Sequence, residues 1–522
     1  MKSNHSSSAL KSILFKDRTF QFLLLLLILG VVYRLIITAN GNFLFNMDNA
    51  RDMVDVREMV ILKHLRLTGP NSAITGLYNG PGWYYILAVP FLLTVGNPYA
   101  EVLMMIFLWF IGGIFLILLV KRFDIWAQIF ATLCWILSNY IVLTTLYAFN
   151  PNPLVFLTPV FIFCLEKYIL TNSLVYSLLV FLIAGLLFNL EMNFGVFIPV
   201  IILSSILLSG RKNLIKKRQF ILGVLVFMAS LLPQFLFDLK HHFVMTNSVI
   251  QFLESSYGSG ESFNPLSRLL LNWDKLIGVL NATFFNLNNL TYGFITTVVV
   301  VFIYELKKRK KLEPVIIISF LYILLPFLGY VVLPVSVNPW HLGGVIVAMV
   351  IIVSYALSML GKINLFTRLI MIVLLVGAFW GMRVNLNDFF HDLGKHSTDP
   401  SVFANELAAV DYVYQYANGK NFRVYNYLPS VYDYPYQYIF WWRGLKKYGY
   451  TPKEYAYLPN KPAYISGKEL LNTGSNPGDS GLIFLIKEPN NPKLKDLWEN
   501  SFKHLELISA TKVGPLEVEV RR

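Results

Sequence analysis

From Phe20 to about Gly381 the chain is a succession of long apolar runs separated by short polar loops. A helix crosses a bilayer core with roughly 20 predominantly apolar residues, so the pattern fixes the class as a polytopic α-helical membrane protein. The balance of side chains agrees, with 56% hydrophobic and only 14% charged residues among 522. Spacing predicts about eleven spans. The first six are Phe20–Thr38, Ala100–Val120, Ile125–Leu146, Leu154–Ile169, Leu174–Leu190 and Phe194–Leu208. The remainder are Phe220–Phe237, Leu290–Tyr304, Pro314–Leu333, Leu342–Leu360 and Leu369–Met382.

A formal net charge of +14 would point to nucleic acid in a soluble protein. Here the basic residues fall in short loops at alternate span ends: Lys2–Arg18, Lys121–Arg122, Arg211–Arg218, Lys307–Lys311 and Lys362–Arg368. That is the positive-inside pattern. It predicts a cytoplasmic N-terminus, an extracytoplasmic C-terminus and no nucleic-acid partner. One apolar segment, Trp83–Val95, would invert this count if it crossed fully. Pro81 and Pro90 favour a short or broken helix, and such a segment is tolerated where protein or a water-filled cavity covers its backbone. It is read as juxtamembrane or re-entrant, giving a first outer loop from about 39 to 99. The first apolar run lacks a small-residue cleavage site and reads as a retained anchor. Cys134 and Cys164, the two cysteines, both fall in predicted spans, which supports neither a disulfide framework nor a cysteine-based metal site.

The composition changes after the last span. Residues 1–383 form the membrane domain, and 384–522 read as an extracytoplasmic domain of α/β or α+β type, of ordinary domain size. Patterning predicts helices near Val402–Tyr416, Tyr438–Lys447 and Leu494–Phe502, with strands at Phe422–Tyr427, Gly481–Ile486 and Leu516–Val520. Its concentration of aromatic residues, Tyr425, Tyr427, Tyr432, Tyr434, Tyr436, Tyr438, Trp441 and Trp442, has two readings. One is a stacking platform for sugar rings; the other is a domain core or membrane-interface belt.

Ionisable groups at a membrane edge cost free energy unless they face water, a partner or a ligand. They concentrate in the first outer loop, at Asp48, Arg51, Asp52, Asp55, Arg57 and Glu58, followed by Leu77-Tyr-Asn-Gly-Pro-Gly-Trp-Tyr84-Tyr85. A helix over Asp48–Leu65 puts Asp48, Asp52 and Asp55 at i, i+4 and i+7 with Arg51 alongside, one acidic and water-facing side. The competing expectation is an amphipathic helix lying on the membrane, with Met53, Val56, Val60 and Ile61 in the interface and Arg57 snorkelling. No Walker loop, Rossmann glycine fingerprint, Gly-x-Ser-x-Gly elbow or His-Glu-x-x-His helix occurs.

The Asp-x-Ala-Arg-Asp element after the first span, the Gly-Pro and Tyr-Tyr element some thirty residues on, the multispan body and the C-terminal domain together resemble the GT-C glycosyltransferases. The likeness is to the branch of protein O-mannosyltransferases, the aminoarabinose transferase of lipid A and Rgt-type lipopolysaccharide core glycosyltransferases. It is clearest over Asn46–Tyr85 and extends more weakly to about Trp340. The resemblance implies transfer of a hexose-type sugar, with inversion, from a polyprenyl-phosphate donor to an extracytoplasmic glycan, lipid or protein. It places Asp48 at the catalytic acidic position. Asp52 is the second catalytic candidate, suited to orienting the acceptor, Arg51 is suited to neutralising Asp48 or binding phosphate, and Tyr84 and Tyr85 are candidates on the substrate side. A phosphate leaves without a general acid, so a base for the acceptor hydroxyl and cations for the phosphate suffice.

Where several relatives carry another acid, the second outer loop has Asn150 and Asn152, which weakens a two-carboxylate or metal-bound mechanism. No cofactor is called for; a divalent metal is compatible with this reading but not required. Glu191 in the third outer loop is either an acceptor-side group or half of a structural ion pair. Lys240, His241, His242, Arg268, Lys275 and His341 are the sparse cationic candidates outside, of which Lys240 and His341 are singled out as ligands of the donor. Two rival classes remain: a transporter or flippase of lipid-linked sugars, and a non-catalytic glycan-binding envelope protein.

Overall fold

The structure, a computed structural model, describes residues 17–258, 264–284, 288–308, 312–392, 395, 397–459, 464–465, 467–489 and 492–522. Most of the basic segment Lys2–Arg18 and part of Lys307–Lys311 lie outside the described residues.

The chain enters through α1 (Arg18–Ile37), whose first turn is capped by Asp17 accepting from the Thr19 and Phe20 N–H groups. The first loop contains α2 (Met47–Ile61) and α3 (Gly82–Thr94). Then follow α4 (Tyr99–Val120), α5 (Ile125–Leu137), α6 (Asn139–Leu146), α7 (Pro153–Thr171), α8 (Leu174–Leu190), α9 (Met192–Gly195) and α10 (Ile198–Leu208). After them come α11 (Arg218–Lys240), α12 (Val244–Gly258), α13 (Pro265–Phe284), α14 (Asn288–Lys308), α15 (Pro314–Val332), α16 (Gly343–Ile363) and α17 (Leu365–Asp392).

Seven helices among the described residues are long and apolar enough to cross a membrane, or eight if α5 and α6 are one span bent by 44°. The bend falls at Ser138, whose ψ of 129° leaves the helical region. The runs Leu174–Leu190 and Phe194–Leu208 fold into helices of 17 and 11 residues. Between Phe237 and Leu290 the structure adds α12 and α13, which hydropathy alone did not separate. α13 buries Leu276, Ile277 and Leu280 and exposes Leu266, Leu270 and Leu271. The packing centre is α16, buried from Gly343 to Leu360 and ringed by α5, α7, α15 and α17. By contrast α1 and α11 turn large apolar faces outward, at Leu25, Leu29, Leu225 and Phe235 among others. That is the expected division between protein-facing and lipid-facing helices.

The C-terminal domain is a five-stranded sheet covered by helices. Its elements are α18 (Phe403–Ala417), β1 (Asn421–Tyr427), α19 (Tyr434–Arg443), β2 (Glu454–Ala456), α20 (Lys468–Leu471), β3 (Asp479–Lys487), α21 (Pro492–Glu499), β4 (Leu507–Val513) and β5 (Leu516–Arg521). The strand order is β2-β1-β3-β5-β4, parallel between β1 and its neighbours β2 and β3, antiparallel from β3 through β5 to β4. Both strands missing from the sequence reading, β2 and β4, are edge strands. The helix expected over Tyr438–Lys447 begins a turn earlier and ends at Arg443, continuing as one π-helical turn over Gly444–Tyr448.

Of the two readings of the aromatic concentration, packing favours the core. Tyr425, Tyr427, Tyr436, Tyr438, Trp441 and Trp442 are all buried, while Tyr432 is exposed. Part of this core is the seat on the membrane domain. α19 packs on α2, with the Trp441 ring 4.9 Å from the Arg57 guanidinium. The Tyr438 hydroxyl donates to the Gly96 carbonyl at 2.7 Å, and Phe403 stacks on Phe43 at 5.0 Å. Leu44 and Val402 form an antiparallel bridge, in which Phe45 N–H donates to Ser401 O and Phe403 N–H to Phe43 O, both at 2.9 Å.

These contacts correct both expectations for the loop helix. α2 is neither an acidic side open to water nor an amphipathic helix lying on lipid. Asp52, Met53, Val56 and Arg57 are all buried, because α3 covers α2 from one direction and the C-terminal domain from another. Arg57 does not snorkel; its charge lies under aromatic rings.

Candidate active site

The chain turns into α2 at Asn46, whose side-chain oxygen accepts from the Asp48 N–H at 3.1 Å and so starts the helix. Asp48 is therefore in the first turn, where an anionic side chain is favoured. Its side chain keeps 32% of its surface exposed. Both carboxylate oxygens are held. Arg51 Nη1 donates to Oδ1 at 3.2 Å, and the Tyr147 hydroxyl approaches Oδ2 at 3.3 Å while also lying 3.1 Å from Asn46 Oδ1.

Asp52 is fully buried one turn on. Arg51 donates to its Oδ1 through Nε at 3.1 Å and Nη2 at 3.0 Å, and Trp83 Nε1 donates to Oδ2 at 3.0 Å. Burial pushes the Asp52 carboxyl up to about 7, against the pull of Arg51 in the other direction. Asp52 thus fixes Arg51, and Arg51 fixes Asp48. Tyr84 and Tyr85 brace the same layer from α3: the Tyr84 hydroxyl donates to Asp55 at 2.7 Å, and that of Tyr85 to the Arg66 carbonyl at 2.9 Å. Arg66 Nη2 in turn bridges Asp55 at 2.8 Å and Glu58 at 2.7 Å.

The Gly-Pro element makes the joint between this layer and the break after α8. Gly80 N–H donates to the Asn189 carbonyl at 3.0 Å, Gly82 N–H to Asn189 Oδ1 at 3.3 Å, and Met192 N–H to Asn79 Oδ1 at 3.3 Å. A Cβ on Gly80 would lie 1.9 Å from Asn189 Oδ1, so only glycine permits this approach.

Glu191 lies at that break. It is 4% exposed, accepts from Asn193 N–H at 3.2 Å and is 4.0 Å from His341 Nε2. Burial raises its carboxyl to about 7. The Asn338 N–H donates to His341 Nδ1 at 3.2 Å, which turns Nε2 towards Glu191 and Asn193. Asn150 donates to the Leu190 carbonyl and Asn152 to the Tyr147 carbonyl, each at 2.8 Å. The two amides thereby set the loop that presents Tyr147.

Asp48, Arg51, Asn150, Asn152, Glu191 and His341 line one cavity of about 1540 Å³. Asp52, Tyr84 and Tyr85 are not in its wall and act from behind it. Lys240 ends α11 on an exposed surface and is not in the wall either. Arg268 donates to the Tyr330 and Val335 carbonyls and ties off the end of α15. Sequence reasoning passed over Tyr147, although it lies three residues before Asn150 in the same loop as Asn152. It also missed His391, Lys395 and Asp399, which enter the wall from the far end of the membrane domain and the start of the C-terminal domain. No local pattern marks them, because the tertiary fold brings them there. Among the described residues no group of three or more His, Cys, Asp or Glu converges as a metal-ligand set.

No family model matches the chain, and no curated protein matches it significantly. Solved structures do. ArnT from Cupriavidus metallidurans bound to undecaprenyl phosphate aligns over 96% of this chain and 98% of its own, at 12% identity and a TM-score of 0.59. The fold is the ArnT fold. The same enzyme in its apo state aligns over 97% and 98%, with a TM-score of 0.58. The ArnT-like arrangement thus spans the membrane helices and the small C-terminal sheet alike. An oligosaccharyltransferase from Archaeoglobus fulgidus, crystallised with zinc and sulfate, aligns over 89% of this chain and 68% of its own, at 12% identity and a TM-score of 0.48.

Proposed function

We propose that the protein is an integral membrane glycosyltransferase that moves a hexose-type sugar from a polyprenyl-phosphate donor to an extracytoplasmic glycan, lipid or protein, with inversion. The observation that carries this reading is Asp48: a partly exposed carboxylate, gripped at both oxygens, facing a cavity large enough for a sugar and its phosphate. The ArnT fold supports it, since that protein was crystallised with undecaprenyl phosphate.

In this mechanism Asp48 takes the proton of the acceptor hydroxyl as its oxygen attacks the anomeric carbon opposite the departing phosphate. Attack from that side inverts the anomeric centre. Arg51 lines the cavity and turns N–H groups left over from its bonds to Asp48 and Asp52 towards the phosphate. Asp52 is a positioning residue for Arg51, while Glu191 and His341 form a second polar corner for sugar hydroxyls. The proposed topology has the N-terminus in the cytoplasm and the C-terminal domain outside. With the bent pair, α8, Met192–Leu208 and α14 crossing as well, the spans number eleven, and α3 remains re-entrant.

The test is sugar transfer from a panel of radiolabelled polyprenyl-phosphate hexoses to endogenous envelope acceptors, in membranes with and without the protein, followed by the anomeric configuration of the product. Transfer with one donor and inverted configuration is the expected result. No transfer with any donor overturns the reading, and retained configuration overturns its mechanism. Within it, Tyr147→Phe removes one hydrogen bond to the charged base and is expected to lower kcat about tenfold, leaving thermal stability nearly unchanged. A variant with wild-type kcat would show that Tyr147 does not hold Asp48 during turnover.

A further inference from the structure

A further carboxylate enters the cavity from beyond the last membrane helix. Asp399, at the threshold of the C-terminal domain, is exposed and forms part of the same cavity wall as Asp48. Its backbone is fastened: Asn405 Nδ2 donates to the Ser397 carbonyl at 2.9 Å and to the Asp399 carbonyl at 2.8 Å. Asp399 Oδ1 accepts the Ser401 N–H at 2.9 Å. No described residue donates a hydrogen bond to Oδ2. The next residues, Ser401 to Phe403, are those that pair with Phe43 to Phe45, immediately before Asn46 and Asp48. The two segments joined by this bridge thus carry the two carboxylates, one on each segment and both beyond the same end of it.

The wall around Asp399 carries both signs, with His391 and Lys395 in it as well. At Asp399 itself the carboxylate repels a donor phosphate, which leaves the lipid-linked end of the reaction to the cations of the cavity, Arg51 among them. Hydroxyl groups are suited to Asp399, since a carboxylate accepts several O–H hydrogen bonds. The first outer loop adds amides to the cavity at Asn40, Asn42 and Asn71, which also recognise hydroxyls without charge. We infer that Asp399 and the adjoining threshold of the C-terminal domain form the acceptor subsite, and that the acceptor is a polyhydroxyl glycan headgroup bound between Asp399 and Asp48. This deepens the transferase reading and rests on it.

The experiment uses the full-length protein in detergent with a radiolabelled undecaprenyl-phosphate hexose and a panel of alkyl glycosides. It measures both transfer to glycoside and release of free labelled sugar by water. Asp399→Asn keeps an oxygen for the Ser401 N–H and removes only the charge, whereas Asp399→Ala removes both. Asp399→Asn is expected to raise the glycoside KM about tenfold while release to water stays at the wild-type rate. A wild-type KM for Asp399→Asn with an impaired Asp399→Ala would show a turn-forming role alone and overturn the inference. An equal fall in transfer and in release to water would place Asp399 with the base rather than the acceptor, which also overturns it. Wild type that releases sugar to water but uses no glycoside overturns the glycan class, and wild type that does neither overturns the transferase reading itself.

Discussion

Replacing Asp48 by Asn is expected to lower sugar transfer by about 10³-fold, the range associated with loss of a general base. The substitution is nearly isosteric, and its amide oxygen can still accept from Arg51, so the geometry around Arg51 and Asp52 persists. The side chain is one-third exposed, at 32%, and the ion pair it loses is a partly screened one worth about 1 kcal/mol or less. Activity should therefore fall while the unfolding midpoint hardly moves. Single-turnover transfer by purified wild type and variant, with melting curves on the same samples, checks both halves. A variant within a few-fold of wild type would remove Asp48 from the chemistry and move the search for the base to the other carboxylates of the cavity, Glu191 and Asp399 first.

Arg51→Met is expected to lower stability sharply. It leaves Asp52 buried with only the Trp83 N–H as a partner, and breaking a buried pair from one side costs about 3–5 kcal/mol. The pH dependence has a definite sign. Burial holds the Asp52 carboxyl at about 7 in the folded protein, above its ordinary value of 3.8, so the folded state binds the proton more tightly than the unfolded chain. Stability from this group is fullest below the ordinary value, declines as pH rises towards 7, and is level above it. Without Arg51 the attraction that offsets burial is gone, and the decline extends to higher pH. The double variant Arg51→Met with Asp52→Asn should recover most of the lost stability and lose this dependence. Melting midpoints at one heating rate between about pH 5 and about pH 9 test the scheme. A single variant as stable as wild type, or a double variant no better than the single, would contradict it.

Hydropathy located the apolar runs because burial in lipid selects for composition, which is written locally. It was less able to say which runs cross, since Leu174–Leu190 forms a helix of only 17 residues and Phe194–Leu208 is divided between α9 and α10. The helix containing Asp48 was legible from spacing, and the observed α2 covers Met47–Ile61. Its surroundings were not legible. A side of mixed acids and apolar residues reads the same whether water, lipid or another domain covers it, and only the fold puts Trp441 over Arg57. The same limit explains the strands. β5 declares itself by apolar alternation and β3 by a short continuous apolar run, whereas β2 has three residues and owes its existence to pairing with β1. In the cavity, Asp48, Arg51, Glu191 and His341 were found because charge at a membrane edge is rare. Tyr147 and Asp399 were not, because tyrosines and exposed acids are common and only position distinguishes these two.

The pairing of Leu44 with Val402 has a bearing on how the molecule comes to be active. It joins segments from near the beginning of the chain and from beyond its last membrane helix, a contact of very high sequence separation, and such contacts close late in folding. A nascent chain can insert α1 and fold α2 long before residue 402 has been synthesised, yet the segment leading into Asp48 lacks its backbone partner until then. Pairing of that segment is thereby deferred to the completed protein, and a chain released early or clipped before the C-terminal domain would be left with the approach to Asp48 unpaired.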